Sequence, residues 1–136
     1  MIFVDTGAWI ALLNKKDQYH LDAVNVLEGL HQQQIRLLTT DYVIDETVTR
    51  IRYDTNHFLA VLFLNRIDLL IETEILTVVQ IDETVFTAAK MLFLQYDSAR
   101  LSFTDCTSFV ICSMKSITKA FAFDRHFQMM GIDLLQ

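Results

Sequence analysis

Four acidic residues occupy positions where a carboxylate could do chemistry. Asp5 ends the first apolar run and Asp124 ends a later one, while Glu46 lies off the apolar stripe of one helical stretch and Asp105 opens another. Carboxylates crowded in a partly dry cleft repel one another, and a cation usually stabilises such a cluster. Oxygen ligands without a cysteine or histidine metal-binding spacing favour Mg²⁺ or Mn²⁺. The expected chemistry is metal-assisted phosphodiester hydrolysis.

Each acidic residue also has an ordinary structural explanation. Asp5 could cap the helix that follows it, and Asp124 could cap the next turn. Glu46 and Arg50 form an i, i+4 pair in the favourable order, worth about 0.3–0.5 kcal/mol. Asp105 stands three residues after Ser102, and this spacing is typical of a capping box. Taken one residue at a time, the two interpretations stay open.

The case for a shared site depends on the elements that carry these residues. Strand and helix signals alternate along the chain and no hairpin signal is present, which predicts an α/β protein with a parallel sheet covered on both faces. Such sheets place ligands beyond the carboxyl ends of their strands. The pattern predicts strands followed by Asp5 and Asp124, and it puts the first turn of the helix at Asp105 on the same edge.

Apolar runs and polar breaks set the expected element boundaries, since the chain has no proline and three glycines. The first predicted strand ends at Val4, and the other four cover Ile35–Thr39, Leu76–Val79, Lys119–Phe123 and Ile132–Leu135. The predicted longer helices are Gly7–Leu13, Gln18–His31, Asp41–Tyr53, a helix capped by Asn56 and running to Ile71, one opening at Ile81 or Asp82, and Phe103–Lys115.

Two helices raise the question of an interface. In the helix at Asp41–Tyr53, we expect Ile44, Val48 and Ile51 to face the core and Val43 to lie on another face with Glu46 and Arg50. The next helix is apolar nearly all round from Phe58 to Leu64. That pattern indicates either core packing on two sides or a homodimer surface made with the preceding helix.

Length and composition bound the class of protein. A chain of 136 residues is expected to form one domain, spanning residues 1–136. No apolar run reaches the roughly 18 residues of a membrane span, and two cysteines without zinc spacing favour a reduced, cytoplasmic setting. The net charge of −6 argues against a simple basic nucleic-acid binder. A nuclease remains possible, since neutralising four carboxylates leaves −6 + 4 = −2.

Four segments together resemble the PIN domain and, more narrowly, the VapC-type toxin ribonucleases; the segments are Ile2–Thr6, Asp41–Thr47, Ser102–Asp105 and Ala120–Phe127. The resemblance implies a three-layer α/β/α fold with a parallel sheet of strand order 3-2-1-4-5. It implies that Asp5, Glu46, Asp105 and Asp124 are catalytic and bind Mg²⁺ or Mn²⁺, so that a metal-activated water attacks an RNA phosphodiester. It also implies a homodimer and an inhibitory antitoxin protein.

Residues around the four acids refine this expectation. Thr6 resembles the hydroxyl that supports the acidic site of the family, whereas Ala122 stands where relatives often carry Thr or Ser. His126 is the one histidine expected near the site. Trp9 and Phe127 are expected to pack in the core rather than to stack on bases.

Four cations could guide RNA to this edge. Lys15 and Lys16 lie in a loop that could overhang the cleft, Arg50 lies one turn beyond Glu46, and Arg125 follows Asp124. Each is also explained as a solvated surface charge.

Two other functions compete with the nuclease. Phosphoryl transfer through an aspartyl phosphate on Asp5 would need a second Asp two positions later, where Gly7 stands, and a receiver domain would need paired acids there. A non-catalytic PIN-like binding module would keep the fold and cleave nothing. Mn²⁺ is expected to stabilise the folded enzyme and to have little effect on the stability of such a binding module.

Overall fold

The computed structural model describes residues 1–136 as five strands and seven helices. The strands are β1 (Ile2–Val4), β2 (Leu37–Thr40), β3 (Leu76–Val79), β4 (Lys119–Phe121) and β5 (Asp133–Leu135). The helices are α1 (Thr6–Leu13), α2 (His20–Gln32), α3 (Asp41–Asp54), α4 (His57–Glu72), α5 (Glu83–Gln95), α6 (Phe103–Met114) and α7 (His126–Met129).

The five strands form one parallel sheet in the order β3-β2-β1-β4-β5, which confirms the expected fold class and strand order. β1 is the central strand, and Phe3 lies opposite Leu38 of β2 and Ala120 of β4. Every residue of β1 and β2 is buried. Because successive side chains point to opposite faces, this burial requires cover on both sides of the sheet.

The helices flank the sheet and bury one continuous apolar cluster of 29 residues. β1 contributes all three of its side chains to this cluster, and α6 contributes its inner face. Cys106 and Cys112 are both buried and free, as the sequence led us to expect. None of the helices combines the length and the apolar character needed to cross a bilayer.

The predicted core stripe of α3 was wrong in part. The fully buried side chains are Val43, Thr47 and Ile51, whereas Ile44 and Val48 are only partly buried. The hydroxyl of Thr47 donates a hydrogen bond of 2.7 Å to the carbonyl oxygen of Val43, so this polar side chain is buried without an unpaired group. A prediction that counts only apolar residues omits a buried threonine, and it therefore rotates the expected core face of the helix by one residue.

β4 is also shorter than predicted, because pairing with β1 stops at Phe121. The amide of Asp5 extends that pairing by donating to the carbonyl oxygen of Phe121 at 3.1 Å. Residues 122–125 then leave the sheet edge as an irregular segment before α7. Asp124 therefore lies on a loop beyond the strand end rather than at the last strand position.

Candidate active site

Asp5 leaves the central strand and enters α1 as its N-terminal flanking residue, with only 6% of its surface exposed. Its side chain makes no capping hydrogen bond of standard geometry, although the amides of Thr6 and Gly7 lie close enough to act on it. Burial, followed by the nearby negative charges of Asp105 and Glu46, raises the pKa of Asp5 to about 7. The amides of Thr6 and Gly7 act in the opposite direction and lower this pKa. Asp5 is thus a buried carboxyl group facing other acids.

Asp105 lies in the first turn of α6 and has both a capping role and a place in the acidic cluster. Its amide donates to Ser102 Oγ at 3.0 Å, and its Oδ2 accepts from the Ser102 amide at 2.9 Å. The predicted capping box is therefore confirmed. Burial raises the pKa of Asp105, and the charge of Asp124 raises it further, against a lowering by the Ser102 hydrogen bonds and by His126. Capping leaves Oδ1 without a hydrogen-bond partner and available to a ligand.

Glu46 approaches the same place from the middle of α3, where it is partly buried. Burial raises the pKa of Glu46, and the Asp105 charge adds to this effect, while hydrogen bonding from Thr104 and the charge of Arg50 lower it. The predicted pair with Arg50 is present, with Nη1 of Arg50 and Oε1 of Glu46 3.7 Å apart. A pair this long and this exposed contributes little to stability.

Asp124 is held by the residue two positions after it. The His126 amide donates to Asp124 Oδ1 at 2.9 Å, and Nδ1 of the His126 ring lies 3.1 Å from Oδ2. Asp105, Asp124 and His126 each offer a ligand atom, and these atoms all lie within 4.8 Å of one another. His126 was expected near the site, but the histidines show no metal-ligand spacing in the sequence and no ligand role was predicted for it. The Asp-x-His spacing of Asp124 and His126, just after a predicted strand, is the sequence feature that could have indicated this role.

Asp105 is the centre of the arrangement. Its charge acts on Asp5 and Glu46, and the charge of Asp124 acts on it in turn. All four predicted acids are thus brought to one edge of the sheet, although Asp5 and Glu46 stand outside the tight group that Asp105 forms with Asp124 and His126. Like charges gathered in a buried setting are costly, and a divalent cation would relieve that cost.

The chemistry of the donor set fits a hard divalent cation. Carboxylate oxygens predominate, as Mg²⁺ and Mn²⁺ prefer. Thr6 Oγ1 is buried and has no hydrogen-bond partner, although buried hydroxyls are normally paired. Thr6 follows Asp5 directly, so a hydrated ion beside Asp5 would offer the missing partner.

Of the remaining residues singled out in the sequence, some are buried in the core and one is an exposed cation. Trp9 and Phe127 are 3% and 0% exposed, so both pack in the core as expected. Ala122 is fully buried between the strand end and Asp124. Arg125 is exposed and forms no salt bridge, so it is available to a ligand, but the structure gives it no contact with the acids.

Comparison with known proteins agrees with this architecture. The model of the PIN domain family matches residues 2–132. The 23S rRNA-specific endonuclease VapC20 of Mycobacterium tuberculosis, found in two strains, is 30% identical over 134 residues, which cover 96% of this chain and 95% of VapC20.

Solved structures give the same result. The crystal structure of M. tuberculosis VapC20, described as a sarcin-ricin loop cleaving toxin, superposes with a TM-score of 0.82 at 28% identity and covers 97% of this chain and 96% of that one. VapBC2 from Rickettsia felis, bound to a DNA fragment from their promoter, gives 0.70 at 13% identity, over 98% of this chain and 97% of that one. FitAcB from Neisseria gonorrhoeae gives 0.68 at 15% identity, over 100% and 97%, respectively. The chain belongs to the PIN domain family.

Proposed function

We propose that this protein is a metal-dependent endoribonuclease and the toxin of a toxin–antitoxin pair. The observation that carries the proposal is the convergence of Asp5, Glu46, Asp105 and Asp124 at one edge of the sheet, where burial and mutual repulsion raise the pKa of three of them. A structural cluster of acids would be paired with cations, whereas here Glu46 has an arginine and Asp124 a histidine beside it, and Asp5 and Asp105 have no ion pair. The identity with the endonuclease VapC20 over nearly the whole chain supports the same activity.

The four carboxylates would hold the ion, with Mg²⁺ and Mn²⁺ both suited to them. A divalent ion bound there supplies a nucleophilic water at neutral pH and positive charge for the phosphate. The chain itself supplies the positions: β1 fixes Asp5, the capping box fixes Asp105, and His126 orients Asp124. Groups held in this way need little rearrangement when the substrate arrives.

The substrate is RNA, and 23S ribosomal RNA is the first RNA to test, since that is what the name of VapC20 specifies. The protein carries a net charge of −6, so general attraction to RNA is weak and local cations must guide the strand. Arg50, Arg125, Lys15 and Lys16 are all exposed and take this role in the proposal.

The proposed partners follow from the surface. A homodimer would cover the apolar face that α3 and α4 leave open, where Phe58 is 76% exposed and Val61 and Leu64 are 40% exposed. An antitoxin protein would restrain the activity until release. Both cysteines are free and buried, which supports a reducing, cytoplasmic setting. We also propose that residues 1–136 act as one domain.

The decisive experiment is cleavage of 23S rRNA, and of a mixed RNA pool, by purified antitoxin-free protein with Mn²⁺ and then with EDTA. Asp5→Asn and Asp105→Asn should each lower the cleavage rate by at least about 100-fold, because both remove a ligand rather than an outer contact. Asp45→Asn is the matched control, since Asp45 neighbours Glu46 but is exposed. It should cleave like the wild type.

A second readout separates the enzyme from a binding module that keeps the fold. Mn²⁺ at 100 times its dissociation constant should raise the free energy of unfolding by about 2.7 kcal/mol, and both Asn variants should lose most of this gain. Folded wild-type protein that gains no stability from Mn²⁺ and leaves both RNA samples intact would contradict the nuclease and favour the binding module.

A further inference from the structure

Three aromatic rings connect the core to the surface beside the acidic residues. Phe121 is fully buried in β4, and its ring packs edge-on against Phe123 with centroids 6.2 Å apart. The Phe123 ring stacks on Tyr19 with centroids 4.4 Å apart and planes within 6° of parallel. We call these three rings the aromatic ladder. Its outer end is Tyr19, which is 39% exposed.

The backbone of the aromatic ladder is connected to two residues of the acidic cluster. The carbonyl oxygen of Phe121 accepts the hydrogen bond from the Asp5 amide at 3.1 Å. Phe123 directly precedes Asp124, and consecutive Cα atoms are about 3.8 Å apart. The backbone of two ladder residues is therefore joined to Asp5 and Asp124, at the edge of the sheet where the acids lie.

The loop that carries Tyr19 is fixed before any ligand binds. The Tyr19 amide donates to Asp17 Oδ1 at 2.8 Å, and the Tyr19 carbonyl oxygen accepts from Ala23 at 2.9 Å. The neighbouring His20 ring anchors the start of α2 to the carbonyl oxygen of Ala11 at 2.7 Å. An aromatic face held by these contacts costs little further ordering when a ligand stacks on it.

The same loop carries the only adjacent pair of cations in the chain. Lys15 and Lys16 lie a few residues before Tyr19, both are exposed, and neither forms a salt bridge. Proteins that hold single-stranded nucleic acid combine cations along the backbone with aromatic faces on which bases stack. The residues from Lys15 to Tyr19 present both features within one short loop.

We propose that the exposed end of the aromatic ladder is a stacking platform for an RNA base that flanks the phosphate at the acidic cluster. The inference rests on the proposed nuclease function and specifies its substrate class. A base can stack on Tyr19 only when its face is free, so the site selects an unpaired base in a single strand or loop and rejects a continuous duplex.

The direct test is fluorescence of a short single-stranded RNA that carries 2-aminopurine at one internal position, placed at each position in turn. Asp105→Asn protein in EDTA should bind this RNA without cutting it, since the substitution and the chelator both prevent metal-assisted cleavage. Stacking on Tyr19 should quench the fluorescence at one position. In the Asp105→Asn background, Tyr19→Phe should keep the quenching, since it keeps the ring, while Tyr19→Leu should lose it and bind about tenfold more weakly. The same RNA in a duplex should show no quenching.

Kinetics and metal binding test whether Tyr19 acts on the substrate or only supports the fold. In otherwise wild-type protein, Tyr19→Leu should raise KM about tenfold, leave kcat within about twofold, and leave the stabilisation by Mn²⁺ unchanged. Equal quenching by the Tyr19→Leu and Tyr19→Phe proteins would overturn the platform, and so would loss of Mn²⁺ stabilisation in Tyr19→Leu. Quenching that depends on Tyr19 in a protein that cleaves nothing would keep the platform and reject the nuclease.

Discussion

A carboxyl group with a pKa of about 7 changes its charge within the ordinary range of pH, and Asp5 is such a group. Its position explains the shift, because the central strand delivers it to a buried point that faces Asp105 and Glu46. Without a cation, ionised Asp5 destabilises the folded protein. With one, the same charge becomes a ligand. The metal-free stability of this protein therefore reports on the site.

We predict that stability without metal falls as pH rises. The pKa of Asp5 is raised from 3.8 in the unfolded chain to about 7 in the folded one, so between these values the folded state binds more protons. Stability then decreases with pH across this window, by on the order of 4 kcal/mol for the whole shift. Urea unfolding in EDTA at pH 5 and pH 8 covers about two of these pH units, so the expected loss of stability between them is about 2.7 kcal/mol.

Asp5→Asn should remove most of this dependence and unfold at higher urea concentration than the wild type at pH 8 in EDTA. Adding Mn²⁺ should reverse the order, since only the wild type keeps the ligand. A wild-type protein with the same metal-free stability at both pH values would show that Asp5 is not the buried carboxyl group described above.

At the scale of single elements, α6 brings structure and chemistry together, because one residue serves both its cap and the acidic cluster. Ser102 and Asp105 exchange two hydrogen bonds at its N-terminus. The same exchange sets the direction of the Asp105 carboxylate. Weakening the cap should therefore disturb the site as well as the helix.

Ser102→Ala should lower the free energy of unfolding by about 1 kcal/mol and also weaken Mn²⁺ binding and RNA cleavage several-fold. Asn56→Ala is the matched control, because Asn56 caps α4 by accepting from the Leu59 amide, and its helix contributes no acid to the cluster. It should lose similar stability and keep full activity. Chemical denaturation and cleavage assays on the two variants side by side measure the contrast. Equal activity in both would show that the cap does not position Asp105.

The elements also show how far the sequence predicted the structure. β3 lies at the predicted residues, and Asn56, Asp82 and Ser102 cap the helices they were expected to open. These features were predictable because a short strand and a helix cap each depend on residues that are close together in the sequence. The core face of α3 was misplaced because the burial of Thr47 depends on a hydrogen bond within the folded helix. The stack of Tyr19 on Phe123 joins segments about a hundred positions apart, and no local pattern encodes it.

At the scale of the whole molecule, α4 carries an exposed apolar face. Phe58 is 76% exposed, with Val61 and Leu64 along the same helix. The apolar sequence of this helix is compatible with core packing on two sides or with a homodimer surface. The exposure of Phe58 in the single chain favours the second.

Phe58→Asp should shift the protein from dimer to monomer and raise the dissociation constant at least tenfold, because a buried phenylalanine side chain contributes roughly 1.5–3 kcal/mol. Met91→Asp is the matched control, since Met91 is 68% exposed on α5, away from this face. Sedimentation equilibrium of both variants distinguishes them. A monomeric wild type, or dissociation caused equally by Met91→Asp, would contradict the proposed dimer surface.

The position of β1 at the centre of the sheet has a consequence for synthesis on the ribosome. Its neighbour β4 is formed by residues 119–121, so the first strand must wait for nearly the whole chain to emerge before its second edge is paired. Asp124 follows β4, and Asp5 follows β1, so the acidic cluster stays incomplete until residues 119–124 have been made. Such distant pairings also fold slowly. A fragment that ends before β4 therefore cannot assemble the acidic cluster, however well its first strands pair.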